Sequence, residues 1–316
     1  MSDQPPRWTD QQILAARPPK HSTDPGRPYA FLVESERAAS GQVEQVSTIF
    51  LTNHECPYRC LMCDLWQHTT DERLPPGAIP GQIDFALTRL PPARHVKLYN
   101  SGNFFDRQAI PPEDYAAIAD RIRRFRTVTV ENHPRFCTSE CPRFRDLLGT
   151  DLDIGIGLET VHREILDRLN KQMTLEDFER AVVFLRHHAI GVRAFILLRP
   201  PFMEEQEGVE WAVRSIEYAF SVGVQCCSVI PTRAGNGALE RLQTSGLFDP
   251  PTLLSMETVL DAGILMDRGR VFMDLWDIER FYRCGRCGPL RRERMHRMNL
   301  SQRTVPAVRC DCEVHQ

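Results

Sequence analysis

The stretch VSTIFLTNHECPYRCLMC, residues 46–63, joins a strand-like run to three closely spaced cysteines. Residues 46–51 are β-branched or apolar at nearly every position, as in a strand that is buried on both faces. Cys56, Cys60 and Cys63 follow with the spacing C-x3-C-x2-C. A proline after the first cysteine disfavours regular structure, so we expect the thiols to lie on an irregular loop that curves around one small group.

The number of cysteines in this loop argues against a closed structural zinc site. Such a site takes four protein ligands, whereas three thiolates on a [4Fe–4S] cluster leave one iron open to another ligand. Two other interpretations remain, namely ordinary buried cysteines or a zinc knuckle completed by His54 or His68. The chain has 316 residues and an odd total of 11 cysteines, which favours metal or cluster chemistry over disulfides.

The loop resembles that of the radical S-adenosylmethionine (SAM) superfamily, in which three cysteines hold a [4Fe–4S] cluster. The resemblance implies that the fourth iron chelates the amino and carboxylate groups of SAM. It also implies that an external one-electron reductant drives the cleavage of SAM to a 5′-deoxyadenosyl radical. The residue before the last cysteine, usually aromatic and close to the adenine, is here Met62, whose thioether fills a similar volume.

From residue 45 onward, apolar runs of strand length alternate with amphipathic runs of helix length, a pattern typical of a parallel α/β fold. The predicted strands are 46–51, 95–99, 127–131, 152–158, 192–198 and 226–230. Six strand–helix pairs are too few for a closed eight-fold barrel, and the superfamily resemblance implies a partial (β/α)6 TIM-type barrel. Because chemistry in such barrels occurs at the carboxyl ends of the strands, we examined these ends for site residues.

Three of the strand ends contain candidate SAM contacts. Ser101, Gly102 and Asn103 lie where the superfamily has a short glycine-rich motif that grips the SAM amino group, and small residues let the backbone approach a ligand. Glu159 is a candidate for the ribose or amino group, or else stabilises a helix N-terminus. Arg199 suits a carboxylate or phosphate, or else a structural ion pair.

Three further polar side chains are expected at the mouth of the barrel, where a substrate would lie. Glu131 and His133 follow the third predicted strand, at a place where related tRNA-modifying enzymes of the superfamily carry an acidic residue and a proline. Arg233 follows the sixth strand in a glycine-containing loop, and it suits the adenine–ribose edge or the substrate.

A second set of cysteines lies near the end of the chain and comprises Cys284, Cys287, Cys310 and Cys312. Two close cysteine pairs can complete a four-thiolate zinc site or hold an auxiliary iron–sulfur cluster. The predicted organisation is a partly ordered N-terminal arm over 1–44 with a short helix at 10–16, a radical SAM core over 45–275, and a cysteine-rich basic module over 276–316. The predicted fold is therefore a partial barrel with a cysteine-rich C-terminal extension.

The composition is that of an ordinary globular protein, with 42% hydrophobic and 26% charged residues. No apolar stretch reaches the length of a membrane span, and the polar N-terminus lacks the apolar core of a signal peptide. We therefore expect a cytoplasmic protein without a membrane partner. The net charge of −3 argues against a generic polyanion binder.

Positive charge is nevertheless concentrated near the C-terminus. The arginines that we expect to contact RNA are Arg283, Arg286, Arg291, Arg292, Arg294 and Arg297. A local basic patch is typical of a protein that docks RNA at one end. Lysine is scarce in this chain, so the same run could instead be a solvated surface.

The cysteine loop, the strand ends near 101–106 and 155–159, and the basic tail are similar to those of elongator-like tRNA-modifying enzymes and of the radical SAM subunit of archaeosine synthase. The resemblance implies an enzyme that cleaves SAM to modify a tRNA nucleoside, with a possible partner enzyme that prepares the substrate. One alternative is a radical SAM enzyme that acts on a small metabolite or peptide. Another is a non-catalytic iron–sulfur protein that binds RNA.

Overall fold

The computed structural model describes residues 7–312, which form an eight-stranded sheet with helices on its outer face. The strands are β1 (Ala30–Arg37), β2 (Val43–Phe50), β3 (His95–Tyr99), β4 (Thr127–Asn132), β5 (Asp151–Glu159), β6 (Gly191–Leu198), β7 (Cys226–Pro231) and β8 (Arg270–Met273). The helices are α1 (Asp10–Ala16), α2 (Ala78–Leu87), α3 (Tyr115–Ile122), α4 (Glu140–Leu148), α5 (Arg163–Arg168), α6 (Leu175–His187), α7 (Glu205–Ser221), α8 (Ala238–Thr244), α9 (Leu253–Leu265) and α10 (Cys287–Ser301). Within the described range, no helix is both long and apolar enough to span a membrane.

The sheet confirms the predicted fold class, a partial α/β barrel. Strands follow one another in chain order, and β2 to β8 run parallel because each connection returns outside the sheet, mostly through a helix. The six predicted strands correspond to β2 through β7. Their outward side chains, such as Ile49, Leu98 and Ile154, are fully buried in the core that the sheet shares with the helices. Residues 1–6 and 313–316, the outermost parts of the predicted arm and module, lie outside the described residues.

Strand β1 was missed by the sequence analysis, which assigned residues 1–44 to a partly ordered arm. Its second half looks solvent-exposed in the sequence because it contains Glu34 and Glu36. Inside the barrel, however, Glu36 lies 2.5 Å from Lys97 Nζ on β3 and 2.5 Å from Arg193 Nη2 on β6. The charges are therefore paired across the barrel interior, and the sheet begins well before residue 45.

The barrel interior has a charged lower layer and an aromatic upper layer. The ion pairs of Glu36 form the lower layer. Phe50, Tyr99 and Phe195 lie nearer to the carboxyl ends of their strands, and each is only partly buried although it faces the interior. Barrels of this type are usually filled by branched aliphatic side chains. The upper part of this barrel is instead lined by partly buried aromatic rings.

Helix α10 completes the barrel wall at the free edge of β8. The Asn299 side chain bonds both the N–H and the carbonyl of Met273, at 3.0 and 2.8 Å. Gln302 bonds both backbone groups of Val271, at 2.8 Å each. Two side-chain amides thus satisfy an edge strand as a neighbouring strand would. The helix of the predicted C-terminal module over 276–316 is therefore packed as part of the barrel wall, and the bounds of the module stay a prediction.

Candidate active site

The three cysteines of the 56–63 loop lie beyond the carboxyl end of β2, at the mouth of the barrel. Cys60 is buried, Cys56 and Cys63 are partly buried, and none of the three forms a disulfide. Burial raises the pKa of Cys60 to about 12 and also raises the pKa of the other two thiols. Bound iron would supply the positive charge that buried thiolates need. The set therefore fits a metal cluster better than it fits isolated ionised thiols.

Asparagine side chains from distant segments hold the cysteine loop in shape. Asn236, after β7, donates from Nδ2 to the carbonyl oxygens of Leu61 at 2.8 Å and Cys63 at 3.3 Å. Asn170, after α5, donates to the carbonyl oxygen of Arg59 at 2.7 Å. Neither residue is recognisable as part of the site from the sequence, because no local spacing connects them to the cysteines.

The predicted SAM loop lies directly against the first cysteine. The side-chain Nδ2 of Asn103 is 3.2 Å from the sulfur of Cys56. A Cβ atom on Gly102 would lie 3.4 Å from the Cys56 Cβ, in van der Waals contact with the cysteine loop. Ser101 is buried and has a left-handed backbone with φ of 52°. An N–H directed at a thiolate stabilises its charge, as around iron–sulfur clusters.

Glu131 holds the backbone of this loop rather than presenting its carboxylate to a substrate. Its Oε1 accepts the N–H of Asn100 at 2.6 Å and the N–H of Gly102 at 3.3 Å. Burial raises the pKa of Glu131 to about 7, and the backbone N–H groups oppose this shift. We therefore revise the mouth assignment and regard Glu131 as a positioning residue.

His133 is also built into the site's support and is 3% exposed. Its ring stacks on Tyr58 of the cysteine loop with centroids 4.1 Å apart. Nδ1 accepts the N–H of Arg135, which leaves Nε2 to donate to the carbonyl oxygen of Lys171 at 3.1 Å. Burial lowers the pKa of His133 to about 3, so the ring is neutral near pH 7. Its predicted contact with substrate at the mouth is not borne out by this buried position.

Lys171 is a charged site residue to which the sequence analysis assigned no role. Its Nζ lies 2.6 Å from Oε1 of Glu159, and both side chains are almost completely buried. Burial alone would lower the pKa of Lys171, but Glu159 and the thiols of Cys60 and Cys56 raise it above its ordinary value. An ammonium group here can offset the charge of thiolates, and its pairing with Glu159 places that predicted SAM contact beside the cysteine loop.

Two other predicted SAM contacts have different surroundings. The Arg199 guanidinium is paired within the protein, with Nη1 2.6 Å from Glu205 Oε2 and 3.0 Å from the Pro250 carbonyl oxygen. These contacts favour the structural ion pair over a contact with SAM. Met62 is partly buried in an apolar cluster with Phe202, so its role toward adenine stays a prediction.

Arg233 lies at the mouth, as expected. Its Nη1 donates to the carbonyl oxygen of Trp276 at 3.0 Å, and it lies 3.7 Å from Asp274. These contacts join the loop after β7 to the loop after β8. The exposed Trp276 and its neighbour Asp274 were not anticipated, because neither belongs to a recognisable motif.

The four cysteines of the second set come together at the start of α10. All their sulfur atoms lie within 4.8 Å of one another, and those of Cys287 and Cys312 are 3.7 Å apart. The backbone N–H groups of Cys287 and Arg286 lower the pKa of Cys284 to about 6. The last described residues thus fold back onto the beginning of the helix and create a site with the donor set of a four-coordinate metal.

The predicted RNA patch is divided between two sides of the C-terminal segment. Its exposed members are Arg283, Arg286, Arg292 and Arg297. Arg291 and Arg294 are each 5% exposed and face α9, where Arg291 pairs with Glu257 and Arg294 lies 2.8 Å from Asp261. Residues three apart share one helix face, and here that face is buried. The assignment of Arg291 and Arg294 to an RNA patch is therefore wrong.

Comparison with known proteins identifies relatives of the whole chain and of its core. No family model matches the sequence. It is 25% identical over 315 residues to an uncharacterised protein of Methanocaldococcus jannaschii, covering 92% of this chain and 86% of that protein. It is 29% identical over 216 residues to archaeosine synthase subunit beta of Methanosarcina acetivorans, covering 64% of this chain and 60% of the relative. The second match thus spans less than two thirds of the relative's length.

Among solved structures, methylornithine synthase (PylB) has a similar fold, with a TM-score of 0.50 at 13% identity. The match covers 70% of this chain and 63% of that one. The shared fold agrees with a partial barrel whose cysteine loop follows its first parallel strand. The chain is therefore similar in sequence to archaeosine synthase subunit beta and similar in fold to methylornithine synthase, and both likenesses agree with the resemblance of its cysteine loop to that of the radical SAM superfamily.

Proposed function

We propose that this protein uses a [4Fe–4S] cluster on Cys56, Cys60 and Cys63 to cleave SAM reductively, and that the resulting radical modifies a tRNA nucleoside. The observation that carries the proposal is the gathering of three free thiols on one loop at the barrel mouth, against Asn103 and near Lys171. When bound, the cluster supplies the electron that cleaves the SAM sulfonium to a 5′-deoxyadenosyl radical.

The protein's own residues hold and orient the reactants. The Asn103 amide stabilises negative charge on the Cys56 sulfur, and the Lys171 ammonium offsets the charge of the thiolates. Glu131 fixes the backbone at 100–102, whose carbonyl oxygens are suited to accept hydrogen bonds from the SAM ammonium group. The partly buried aromatic rings of the upper barrel would then face a substrate next to the proposed SAM site.

Two observations support RNA as the substrate. One relative is named archaeosine synthase subunit beta, and archaeosine is a modified nucleoside of tRNA. The exposed arginines also begin close to the mouth, because Arg280 donates to the carbonyl oxygen of Ala234 in the loop after β7 at 2.8 Å. Phosphates on these arginines would bring an RNA to the same end of the barrel as the cysteine loop.

SAM cleavage is tested with protein that has been reconstituted anaerobically with iron and sulfide. With dithionite and SAM, the wild type should form 5′-deoxyadenosine, and Cys60→Ala should form none because the ligand set is incomplete. Cys137→Ala is the matched control, since this partly buried thiol lies near the mouth but outside the set. A fully iron-loaded wild type that forms no 5′-deoxyadenosine would refute the proposal.

RNA binding is tested by measuring the affinity for unfractionated tRNA at several salt concentrations. Each phosphate contact contributes about −0.9 to the slope of log affinity against log salt. Changing Arg283, Arg286, Arg292 and Arg297 to Gln should reduce the slope by about 3.6 units if each arginine contacts one phosphate. The control changes Arg107 and Arg143, which are 73% and 71% exposed, and should leave the slope unchanged.

Absent or salt-insensitive tRNA binding would favour a small metabolite or peptide as the substrate. A second measurement compares modified nucleosides in tRNA from cells with and without the gene. We expect one modified nucleoside to disappear when the gene is removed. An unchanged nucleoside profile would contradict the tRNA assignment.

For the second cysteine set we propose a single zinc ion rather than an auxiliary cluster. Zinc–sulfur bonds of about 2.3 Å in a tetrahedron place the sulfur atoms roughly 3.8 Å apart. The 3.7 Å separation of Cys287 and Cys312, and the 4.8 Å limit for the whole set, are of this size. A four-iron cube lies between its ligands and needs a wider set. Reconstituted protein should contain one zinc ion and four iron ions per chain, and Cys310→Ser should lose only the zinc. Eight iron ions and no zinc would overturn this assignment.

A further inference from the structure

Trp276 lies at the rim of the barrel, between the ends of β8 and β2, with much of its ring exposed. Its ring centroid is 6.1 Å from that of Phe50, and the residue is 51% exposed. Its backbone is fixed on both sides, because the N–H donates to Asp274 Oδ1 at 3.0 Å and the carbonyl oxygen accepts from Arg233 at 3.0 Å. Charged neighbours therefore anchor the backbone that carries the exposed indole.

A row of aromatic rings connects Trp276 to the SAM loop. From Phe50 the ring centroids of Tyr99 and Tyr29 are 5.9 and 5.6 Å away. The hydroxyl of Tyr29 lies 3.0 Å from the Oγ of Ser101. These three rings are only partly buried, so aromatic surface continues from the rim towards the predicted SAM position.

Polar and charged groups beside Trp276 complement this aromatic surface. Asp274 and Arg233 lie 3.7 Å apart, each contacts the backbone of Trp276, and they offer a hydrogen-bond acceptor and a donor beside this residue. Arg280, which bonds the loop that carries Arg233, is exposed and is the first of the exposed arginines that continue into α10. The rim thus combines a flat ring, hydrogen-bonding groups and an adjoining positive surface.

We infer that Trp276, Asp274 and Arg233 receive one unpaired nucleobase of the RNA substrate, while its phosphates lie on the exposed arginines. The inference rests on the proposed tRNA function and specifies how the substrate enters the barrel. A base must leave its stack to reach a reaction centre inside a protein. Aromatic faces hold such unstacked bases in RNA-binding proteins. The Asp274 carboxylate favours a base edge that carries N–H donors.

The test measures binding of unfractionated tRNA by the iron-loaded protein and its variants. Trp276→Leu should bind about 5- to 100-fold more weakly, the range for loss of one base–aromatic stack. Trp276→Phe should recover most of the affinity because it restores an aromatic face. Leu265→Ala, at the end of α9 and 71% exposed in the wild type, is the matched control and should bind as the wild type does.

The salt dependence separates a lost base contact from a lost phosphate contact. Trp276→Leu should keep the wild-type salt slope, and iron content and melting temperature should show that it is folded and loaded. Unchanged affinity in this variant, or a reduced salt slope, would overturn the inference while the proposed tRNA function stood. Failure of the wild type to bind tRNA would instead overturn the proposed function, and the inference with it.

Discussion

Glu257→Gln should destabilise the protein strongly while leaving every arginine in the chain. Glu257 has a side chain that is 4% exposed and lies between the guanidinium groups of Arg291 and Arg294, which are 6% and 5% exposed. Removing one partner of a buried ion pair costs about 3–5 kcal/mol, because the remaining charge is left without compensation. Arg294 keeps a second partner, Asp261, at 2.8 Å. We therefore expect a loss at the lower end, about 3 kcal/mol.

The assay is urea unfolding followed by circular dichroism at pH 8. Burial raises the pKa of Glu257 and the two arginines oppose that shift, so the assay uses a pH well above the ordinary range of a carboxyl group. A loss of about 3 kcal/mol moves the midpoint of unfolding down by roughly 1 M urea if the slope is unchanged. The control is Arg292→Gln, whose side chain is 54% exposed and whose partner Glu279 is 62% exposed. An exposed pair of this kind contributes less than about 1 kcal/mol.

The two variants should differ in which property they lose, tRNA binding or stability. Arg292→Gln should weaken tRNA binding without changing stability, whereas Glu257→Gln should unfold more easily but retain the salt dependence of binding. If Glu257→Gln unfolds within about 1 kcal/mol of the wild type, Arg291 and Arg294 are not held as described. They would then return as candidates for the RNA surface.

Three further substitutions test the support of the cysteine loop. Because burial raises the pKa of Glu131 from 4.5 to about 7, its contribution to stability is present below pH 4.5 and is lost as the pH rises through 7. Relative to Glu131→Gln, the wild type should lose about 1 kcal/mol between pH 6 and pH 8, and parallel pH profiles of urea unfolding would contradict this. Asn236→Ala leaves two loop carbonyl groups without their hydrogen-bond donor and should lower the free energy of unfolding by about 1–3 kcal/mol. Urea unfolding measures this loss, and an unchanged midpoint would count against the described contacts. Lys171→Met should make the reconstituted cluster harder to reduce, whereas Lys171→Arg should not. The midpoint potential is measured by a redox titration followed by electron paramagnetic resonance. Equal potentials in the wild type and in Lys171→Met would argue against a charge effect.

Several features of the fold could be predicted because their signals are local. Strands β2 to β7 are buried on the helix-facing side and lie inside a sheet, so each leaves an apolar run of strand length in the sequence. Strand β1 carries paired charges on its interior face, as Glu36 does, and this pattern is the same as that of an exposed segment. The strand became recognisable only when its partners on β3 and β6 were in place.

The candidate site also combines residues that the local sequence predicts with residues that only the fold brings together. The spacing of Cys56, Cys60 and Cys63 is a property of one short loop, and from it the sequence by itself predicts that these thiols face one small group. Lys171 and Asn236 reach the same loop from far along the chain, and only folding brings them there. Glu131 was placed at the right strand end, but its hydrogen bonds to the neighbouring loop decide that it supports the site from behind.

The arginines near the C-terminus show most clearly what the sequence reveals and what only the tertiary structure reveals. Their number and clustering are evident in the sequence, and so is the positive charge of that segment. Arg292 and Arg294 are the same residue type two positions apart, yet one is exposed and the other is 5% exposed. The difference arises because α10 packs one face against the acidic residues of α9. The sequence thus determined the chemistry that this protein carries, whereas the tertiary structure decided which charged side chains remain available to a partner, since burial depends on what each helix face meets.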